Sequence, residues 1–198
     1  MQVLLLPLPW APFNRPSIQL GALKGFLDQQ FADLRVVSRH PSLTAAAAIG
    51  TDRYRRISEN TWAGEALYSG LLFPELRDAA RRLFQRELPD LGRATFDDLL
   101  PLVDAHLDTC LEDVLREDFH LVGFSVCFSQ LSASLLAASR LKARRPDLRV
   151  VFGGSVITPD LARSLPEAFP AVDDCITGEG ERPLQALVAS LRSNTAIS

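Results

Sequence analysis

The sequence predicts an α/β domain with a doubly wound, mostly parallel sheet of about five strands. Short apolar runs alternate with helical patterns along much of the 198 residues. The clearest unit spans residues 118–155. There, residues 121–128 form an apolar run typical of a buried parallel strand. Residues 132–144 have helical spacing with basic residues in the last turn, and residues 149–152 form a second run closed by Gly153-Gly154. A strand–helix–strand unit of this size is a right-handed crossover.

The beginning of the chain predicts two more strands with a helix between them. Ser17 is predicted to cap this helix, whose packed apolar side includes Ile18, Leu20 and Leu23. Residues 2–6 form an apolar run that is expected to become a central strand, and residues 34–37 predict a shorter one. The proline-rich loop at residues 7–16 can be neither helix nor interior strand. Trp10 and Phe13 give this loop apolar bulk. The loop is therefore expected either to wall off a bound ligand or to close the end of the core with its two rings.

A helical insertion is predicted at residues 43–117, where no segment reads convincingly as a strand. Trp62 is one of several aromatic residues expected to pack this insertion against the sheet, and His106 is interpreted as a partly buried histidine with a hydrogen-bond partner. An insertion this long is expected to shape a ligand site or a partner surface. Its helices are predicted at residues 43–50, 66–72, 74–85 and 96–116, the last capped by Thr95.

The end of the chain completes the alternation. A short helix is predicted at residues 159–165, and residues 172–177 predict the last strand. That strand leads into the sequence Gly-Glu-Gly-Glu at residues 178–181. Pro183 then fits the first turn of a closing helix. We expect residues 1–198 to form a single domain around one sheet.

Composition excludes several classes of function. The chain is 47% hydrophobic with a net charge of −3, which suits a folded domain and gives no electrostatic footprint for nucleic acid. No apolar run approaches membrane-spanning length, and the start lacks the features of a signal peptide. Cys110, Cys127 and Cys175 are odd in number and far apart, which argues against disulfides and a cysteine metal site. A cytoplasmic protein without a protein-held metal is expected.

Three loops, two of which contain glycines, are predicted to meet at one edge of the sheet. They are residues 127–131, 153–156 and 178–181, each at the carboxyl end of a strand, where open α/β sheets bind ligands. Glycines there remove side chains, so a bulky ligand can approach the backbone. Glu179 is expected either to bond ligand hydroxyls or to favour the start of the following helix. The groove lacks positive charge and therefore suits a large neutral or amide-rich ligand better than a nucleoside triphosphate.

No catalytic constellation is recognisable in the sequence. There is no serine in a nucleophile elbow and no helical metalloprotease motif, and the three histidines are scattered. His120 precedes the third strand and is expected at the opposite edge from the groove. No catalytic residue is assigned, and the chain on its own reads as a binder.

Three motifs resemble the cobalamin-binding domain of cobalamin-dependent radical S-adenosylmethionine enzymes. They are Val-Gly-Phe-Ser-Val at residues 122–126, Val-Phe-Gly-Gly-Ser at 151–155, and Asp-Asp-Cys-Ile-Thr-Gly-Glu-Gly-Glu at 173–181. The C-methyltransferases that mature ribosomally made peptides look most similar. The resemblance implies a flavodoxin- or Rossmann-like fold with cobalamin (vitamin B12) over the carboxyl edge of the sheet. The nucleotide tail of cobalamin would insert between strand ends near Ser125, Gly153 and Gly154.

The loops and the resemblance together give one predicted set of cofactor-binding residues. The set combines residues of the proline-rich loop, of the end of the third strand and of the three loops at the carboxyl edge. Its members are Pro9, Trp10, Ser125, Cys127, Phe128, Ser129, Gln130, Gly153, Gly154, Ser155, Gly178, Glu179 and Gly180.

The sequence departs from the family pattern in three respects. The Asp-x-His-x-x-Gly motif that supplies an axial cobalt ligand is absent, so no histidine ligand is expected. Ser125-Val-Cys127 stands where the wider family has Ser-x-Leu. No Cys-x-x-x-Cys-x-x-Cys motif occurs, so no iron–sulfur cluster is expected on that motif. The resemblance then implies a radical S-adenosylmethionine domain in the same longer chain or in a partner.

Three functional hypotheses follow. The leading one is a domain that presents methylcobalamin to a radical domain for methyl transfer, with a precursor peptide as a possible further partner. The second is a scaffold of the same fold that has lost the cofactor. The third, a flavodoxin-like or nucleotide-binding domain, is disfavoured because no loop is both glycine-rich and basic. Fold alone would not separate them.

Overall fold

A computed structural model describes residues 1–92 and 94–193 of the chain. Its five strands form one all-parallel sheet in the order β2-β1-β3-β4-β5, which confirms the predicted doubly wound fold. The order reverses between β1 and β3, which makes that point of the sheet the expected place for a ligand. The strands are β1 Gln2–Leu6, β2 Arg35–Ser38, β3 Leu121–Ser125, β4 Arg149–Gly153 and β5 Asp174–Cys175.

The described helices lie on both faces of the sheet and in the insertion. In chain order they are α1 Ile18–Gln30, α2 Ser42–Ile49, α3 Thr51–Ser58, α4 Thr61–Leu72, a short 3-10 helix Pro74–Leu76, α5 Arg77–Glu87, α6 Phe96–Leu115, α7 Leu131–Arg144, α8 Pro159–Ala168 and α9 Glu181–Ser193. None of these helices is long and apolar enough to span a bilayer.

Alternation along the strands divides the core into two layers. Leu5 of β1 and Val151 of β4 face α1 and α9, where they pack with Leu20 and Leu184. The intervening strand residues face α7, α8 and the insertion, and Phe124 joins that larger layer. Because side chains on a strand alternate between faces, an apolar run buried on both sides is what this arrangement requires.

The insertion comprises α2 to α6 and packs on the face of the sheet that carries α7. Helix α6 begins with the predicted cap: Asp98 N–H donates to Thr95 Oγ1 at 3.2 Å, and Thr95 N–H donates back to Asp98 Oδ2 at 2.9 Å. Helix α3 was not predicted. Its sequence is rich in charged residues, and its short apolar side consists of Tyr54 and Ile57. The expected inward packing of Trp62 is wrong, because this side chain is 59% exposed.

The proline-rich loop is held against the insertion. Trp10 is 3% exposed, with its ring centroid 5.1 Å from that of Tyr54 and 6.1 Å from that of Tyr68. The hydroxyl of Tyr54 donates to the Ala11 carbonyl at 2.6 Å. Of the two interpretations of this loop, the structure therefore favours the one in which Trp10 and Phe13 close the end of the core.

Two strands are shorter than their apolar runs suggested. β3 ends at Ser125, because the chain then turns and Val126 N–H donates across to the Gly153 carbonyl at 2.6 Å. β5 is reduced to two residues. There the carboxylate of Asp173 accepts the Val150 N–H at 2.7 Å, so a side chain supplies a bond that a longer strand would make with its backbone.

Candidate ligand-binding site

A slot of about 720 Å³ opens at the carboxyl edge of the sheet, between the strands and the first turns of α1 and α9. Its floor is formed by Leu5, Gly123 and Val151, one residue from each of three neighbouring strands. Leu23 of α1 and Leu184 of α9 stand on the helical side. The volume lies in the range of small-molecule sites, and the place is where doubly wound folds bind ligands.

Glycines keep the slot open at its floor and its mouth. A Cβ on Gly123 would lie 3.0 Å from Leu5 Cδ2, and one on Gly180 would lie 3.2 Å from Leu23 Cδ2. Side chains at Gly123 and Gly153 would point into the slot, because both positions share the face of Val151. The missing side chains therefore provide space for a ligand.

Gly154 has a different role from its neighbour. Its φ is +114°, and a Cβ there would lie 2.8 Å from the nitrogen and 2.9 Å from the carbonyl carbon of Val126. Val156 N–H donates to the Val126 carbonyl at 3.3 Å, and Ile157 N–H donates to the Gly154 carbonyl at 3.0 Å. Gly154 thus allows the loops after β3 and β4 to touch backbone to backbone.

The loop between β3 and α7 is fixed from inside the protein. Gln130 is 2% exposed; its Oε1 accepts the Cys127 N–H at 2.8 Å, and its Nε2 donates to the Leu8 carbonyl. Ser129 is also buried and has a φ of +65°. These contacts attach the β3–α7 loop to the segment that follows β1, so the two loops pack together as one unit.

Helix α4 of the insertion holds the same loop from outside. Glu65 Oε1 accepts the Leu131 N–H at 2.9 Å, and Oε2 accepts the Ser132 N–H at 3.0 Å. A carboxylate that receives the first free N–H groups of a helix is stabilised by hydrogen bonding and by the helix dipole. The insertion therefore sets the position at which α7 begins, one residue beyond Gln130.

The predicted cofactor-binding residues divide into three groups. Eight line the slot: Ser125, Cys127, Gly153, Gly154, Ser155, Gly178, Glu179 and Gly180. Four are buried in the protein and do not line it: Pro9, Trp10, Ser129 and Gln130. Phe128 is 71% exposed and also lies outside the slot. For the buried group the structure shows supporting contacts within the protein.

Sequence reasoning missed the floor and the α1 side of the slot. Leu5, Gly123 and Val151 were assigned only to buried strands, and Ile18, Leu20 and Leu23 only to a packed helix. One signal was present. Gly123 interrupts an otherwise apolar run, and a glycine inside a strand often marks close approach of a ligand or backbone.

The slot is apolar below and acidic at its mouth. Among the residues that the structure describes, its lining contains no lysine, arginine or histidine, while Glu179 and Glu181 both border it. Glu181 stands in the first turn of α9, where a carboxylate is favoured by the helix dipole. On neighbouring β5, burial raises the pKa of the Cys175 thiol to about 11, so this thiol stays protonated at neutral pH. The arrangement suits a ligand with a flat apolar part and hydrogen-bond donors.

His120 lies at the opposite edge of the sheet, as predicted. It borders a separate cavity of about 610 Å³ that also contacts Arg145 and Arg149. These arginines are engaged in ion pairs, Arg145 with Asp147 at 3.0 Å and Arg149 with Asp174 at 2.6 Å. Their charges are therefore already balanced by partners within the protein.

Fold and slot together define a doubly wound α/β ligand-binding domain. Within it, residues 93–188 match the family model of the B12 binding domain, which is just under half of the chain. The matched part contains α6, β3, α7, β4, α8 and β5, and with them the loops at residues 127–131, 153–156 and 178–181. No curated protein and no solved structure matches the chain significantly. The family match supports cobalamin binding by this part of the chain.

Proposed function

We propose that the chain is a cobalamin-binding domain whose slot receives the nucleotide tail of the cofactor. The observation that supports this most directly is the glycine-floored slot of about 720 Å³, bordered by the same loops that match the B12 binding domain. The corrin macrocycle is too wide for a slot between a sheet and its covering helices. It would therefore remain outside, over the carboxyl edge.

The residues of the slot fit the chemistry of that tail. Leu5, Gly123 and Val151 offer a flat apolar floor for the aromatic base. Glu179 and Glu181 can accept hydrogen bonds from ribose hydroxyls or amide groups at the mouth. No histidine lines the slot or its loops, so cobalt would be held without an axial imidazole from this protein.

The wider function that we propose is presentation of the cofactor to a radical S-adenosylmethionine domain. Bound as methylcobalamin, the cofactor would supply a transferable methyl group on cobalt. The chain holds the cofactor by its tail, so that the exposed side of the macrocycle faces the radical domain, in the same longer chain or in a partner. The motifs at residues 122–126, 151–155 and 173–181 support this type. We propose a precursor peptide as the methyl acceptor, a cytoplasmic location, and residues 1–198 as one unit with an insertion at 43–117.

A slot-filling variant tests the tail site. In Gly153→Leu the new Cβ meets its nearest atom, the Ile176 carbonyl oxygen, at 3.6 Å, which is ordinary contact. The leucine then extends into the slot without straining the backbone. The control is Gly25→Leu, at an exposed position of α1. Its new Cβ has no atom within 4 Å, and the residue lies outside the slot.

Each protein is incubated with hydroxocobalamin, desalted and measured by visible absorption, and its fold is checked by circular dichroism. We expect the parent and Gly25→Leu to retain cobalamin and Gly153→Leu to lose at least about nine-tenths of it. Retention by Gly153→Leu would contradict the tail site. Absence of retention in all three would favour the cofactor-free scaffold.

A further inference from the structure

Two exposed aromatic side chains remain without a role in the slot. Trp62 is 59% exposed and Phe128 is 71% exposed. Neither ring takes part in a ring–ring pair with any residue that the structure describes. Two large exposed apolar groups near a binding site are candidates for a contact surface.

The contacts of α4 place Trp62 beside the β3–α7 loop. Trp62 precedes Glu65 by three residues and Ser69 by seven, so the three share one face of α4. Glu65 bonds to the start of α7, and Ser69 Oγ lies 2.9 Å from Ser132 Oγ. Trp62 thus stands about one turn, roughly 5 Å, beyond Glu65 on the side that faces this loop.

A second contact joins the first turn of α4 to the residue next to Phe128. A Cβ on Gly64 would lie 3.0 Å from Ser129 Cβ, so the first turn of α4 touches the residue next to Phe128. Cys127, the residue before Phe128, borders the slot. Phe128 therefore adjoins a residue that borders the slot, and the helix that carries Trp62 packs against the same loop, on the side of the sheet away from α1.

We propose that Trp62 and Phe128 form an apolar contact with the corrin macrocycle. Through Trp62, the insertion then helps to position the cofactor. The inference rests on the proposed function. If the tail fills the slot, the macrocycle lies outside it, next to the β3–α7 loop. Aromatic rings gain most from covering a broad flat apolar surface. Trp62 lies outside the family-matched residues 93–188, so this contact belongs to the insertion.

The test compares cobalamin with cobinamide, which keeps the macrocycle but lacks the nucleotide tail. Dissociation constants are measured by equilibrium dialysis for the parent, Trp62→Ala, Trp62→Phe and the control Leu76→Ala. Leu76 is another exposed apolar residue of the insertion, at 54%. We expect Trp62→Ala to weaken both ligands by about the same factor, roughly tenfold, with partial recovery in Trp62→Phe and no change in Leu76→Ala.

The two ligands separate this contact from the slot. Gly153→Leu should weaken cobalamin and leave the affinity for cobinamide unchanged, because only the tail enters the slot. If the parent binds cobalamin and Trp62→Ala binds both ligands as tightly as the parent does, the inference is wrong while the proposed function stands. If the parent binds neither ligand, both are wrong.

Discussion

Replacement of Gly154 by alanine should destabilise the protein far more than the same replacement at Gly153. At Gly154 φ is +114°, and the alanine Cβ would lie 2.8 Å from the Val126 nitrogen, which belongs to backbone fixed by the sheet. At Gly153 the nearest atom would be 3.6 Å away. The two residues are neighbours at the end of the same strand, so each serves as the control for the other.

The magnitude has two sources. A non-glycine residue in a sparsely populated positive-φ region costs about 1–3 kcal/mol. Relief of the overlap with Val126 requires a shift of two joined loops, which adds about 1 kcal/mol or more on the scale of overpacked sites. We therefore expect Gly154→Ala to lower the free energy of unfolding by about 2–4 kcal/mol, against less than about 1 kcal/mol for Gly153→Ala.

Urea unfolding followed by circular dichroism measures both free energies, and thermal unfolding provides a second reading. For a chain of this size the expected change in Tm for Gly154→Ala is a drop of roughly 4–16 °C. Equal losses of stability in the two variants would refute the reasoning that only Gly154 is fixed by its backbone.

Further predictions concern the insertion. Glu65→Ala should speed amide hydrogen exchange at Leu131 and Ser132 and cost about 1–3 kcal/mol of stability, with a smaller effect in Glu65→Gln; unchanged exchange would contradict the anchoring role. Burial lowers the pKa of His106 below its ordinary value. As the pH falls below about 6.5, the unfolded chain therefore binds more protons than the folded chain does, and the stability of the fold decreases. The fall in Tm between pH 7 and pH 5 should therefore be smaller in His106→Gln, and an identical fall would contradict it.

The sequence was sufficient to predict the elements that depend on local interactions. The run at Gln2–Leu6 forms the predicted central strand, because a short apolar segment between polar and proline residues is typical of a buried strand. Ser17 and Thr95 cap the predicted helices α1 and α6, since a hydroxyl that accepts a free N–H is a local interaction. The parallel, doubly wound sheet also followed from the alternation of strands and helices.

The sequence was not sufficient to predict the features that depend on tertiary contacts. Trp10 was expected near the cofactor, yet it packs between Tyr54 and Tyr68, two residues more than forty positions away in the chain. Gly154 and Gly153 read alike in the sequence, and only the positive φ of Gly154 and its proximity to Val126 distinguish their roles. The exposure of Trp62 depends on how α4 is anchored by Glu65, which no local pattern shows.

The central claim is that the slot receives the nucleotide tail of cobalamin. The most direct measurement is a visible absorption spectrum of the desalted parent protein after incubation with hydroxocobalamin, beside an identical sample incubated with cobinamide. The account predicts that cobalamin is retained in near-equimolar amount and that at least about tenfold less cobinamide remains. Equal retention of the two ligands, or loss of both, would contradict it.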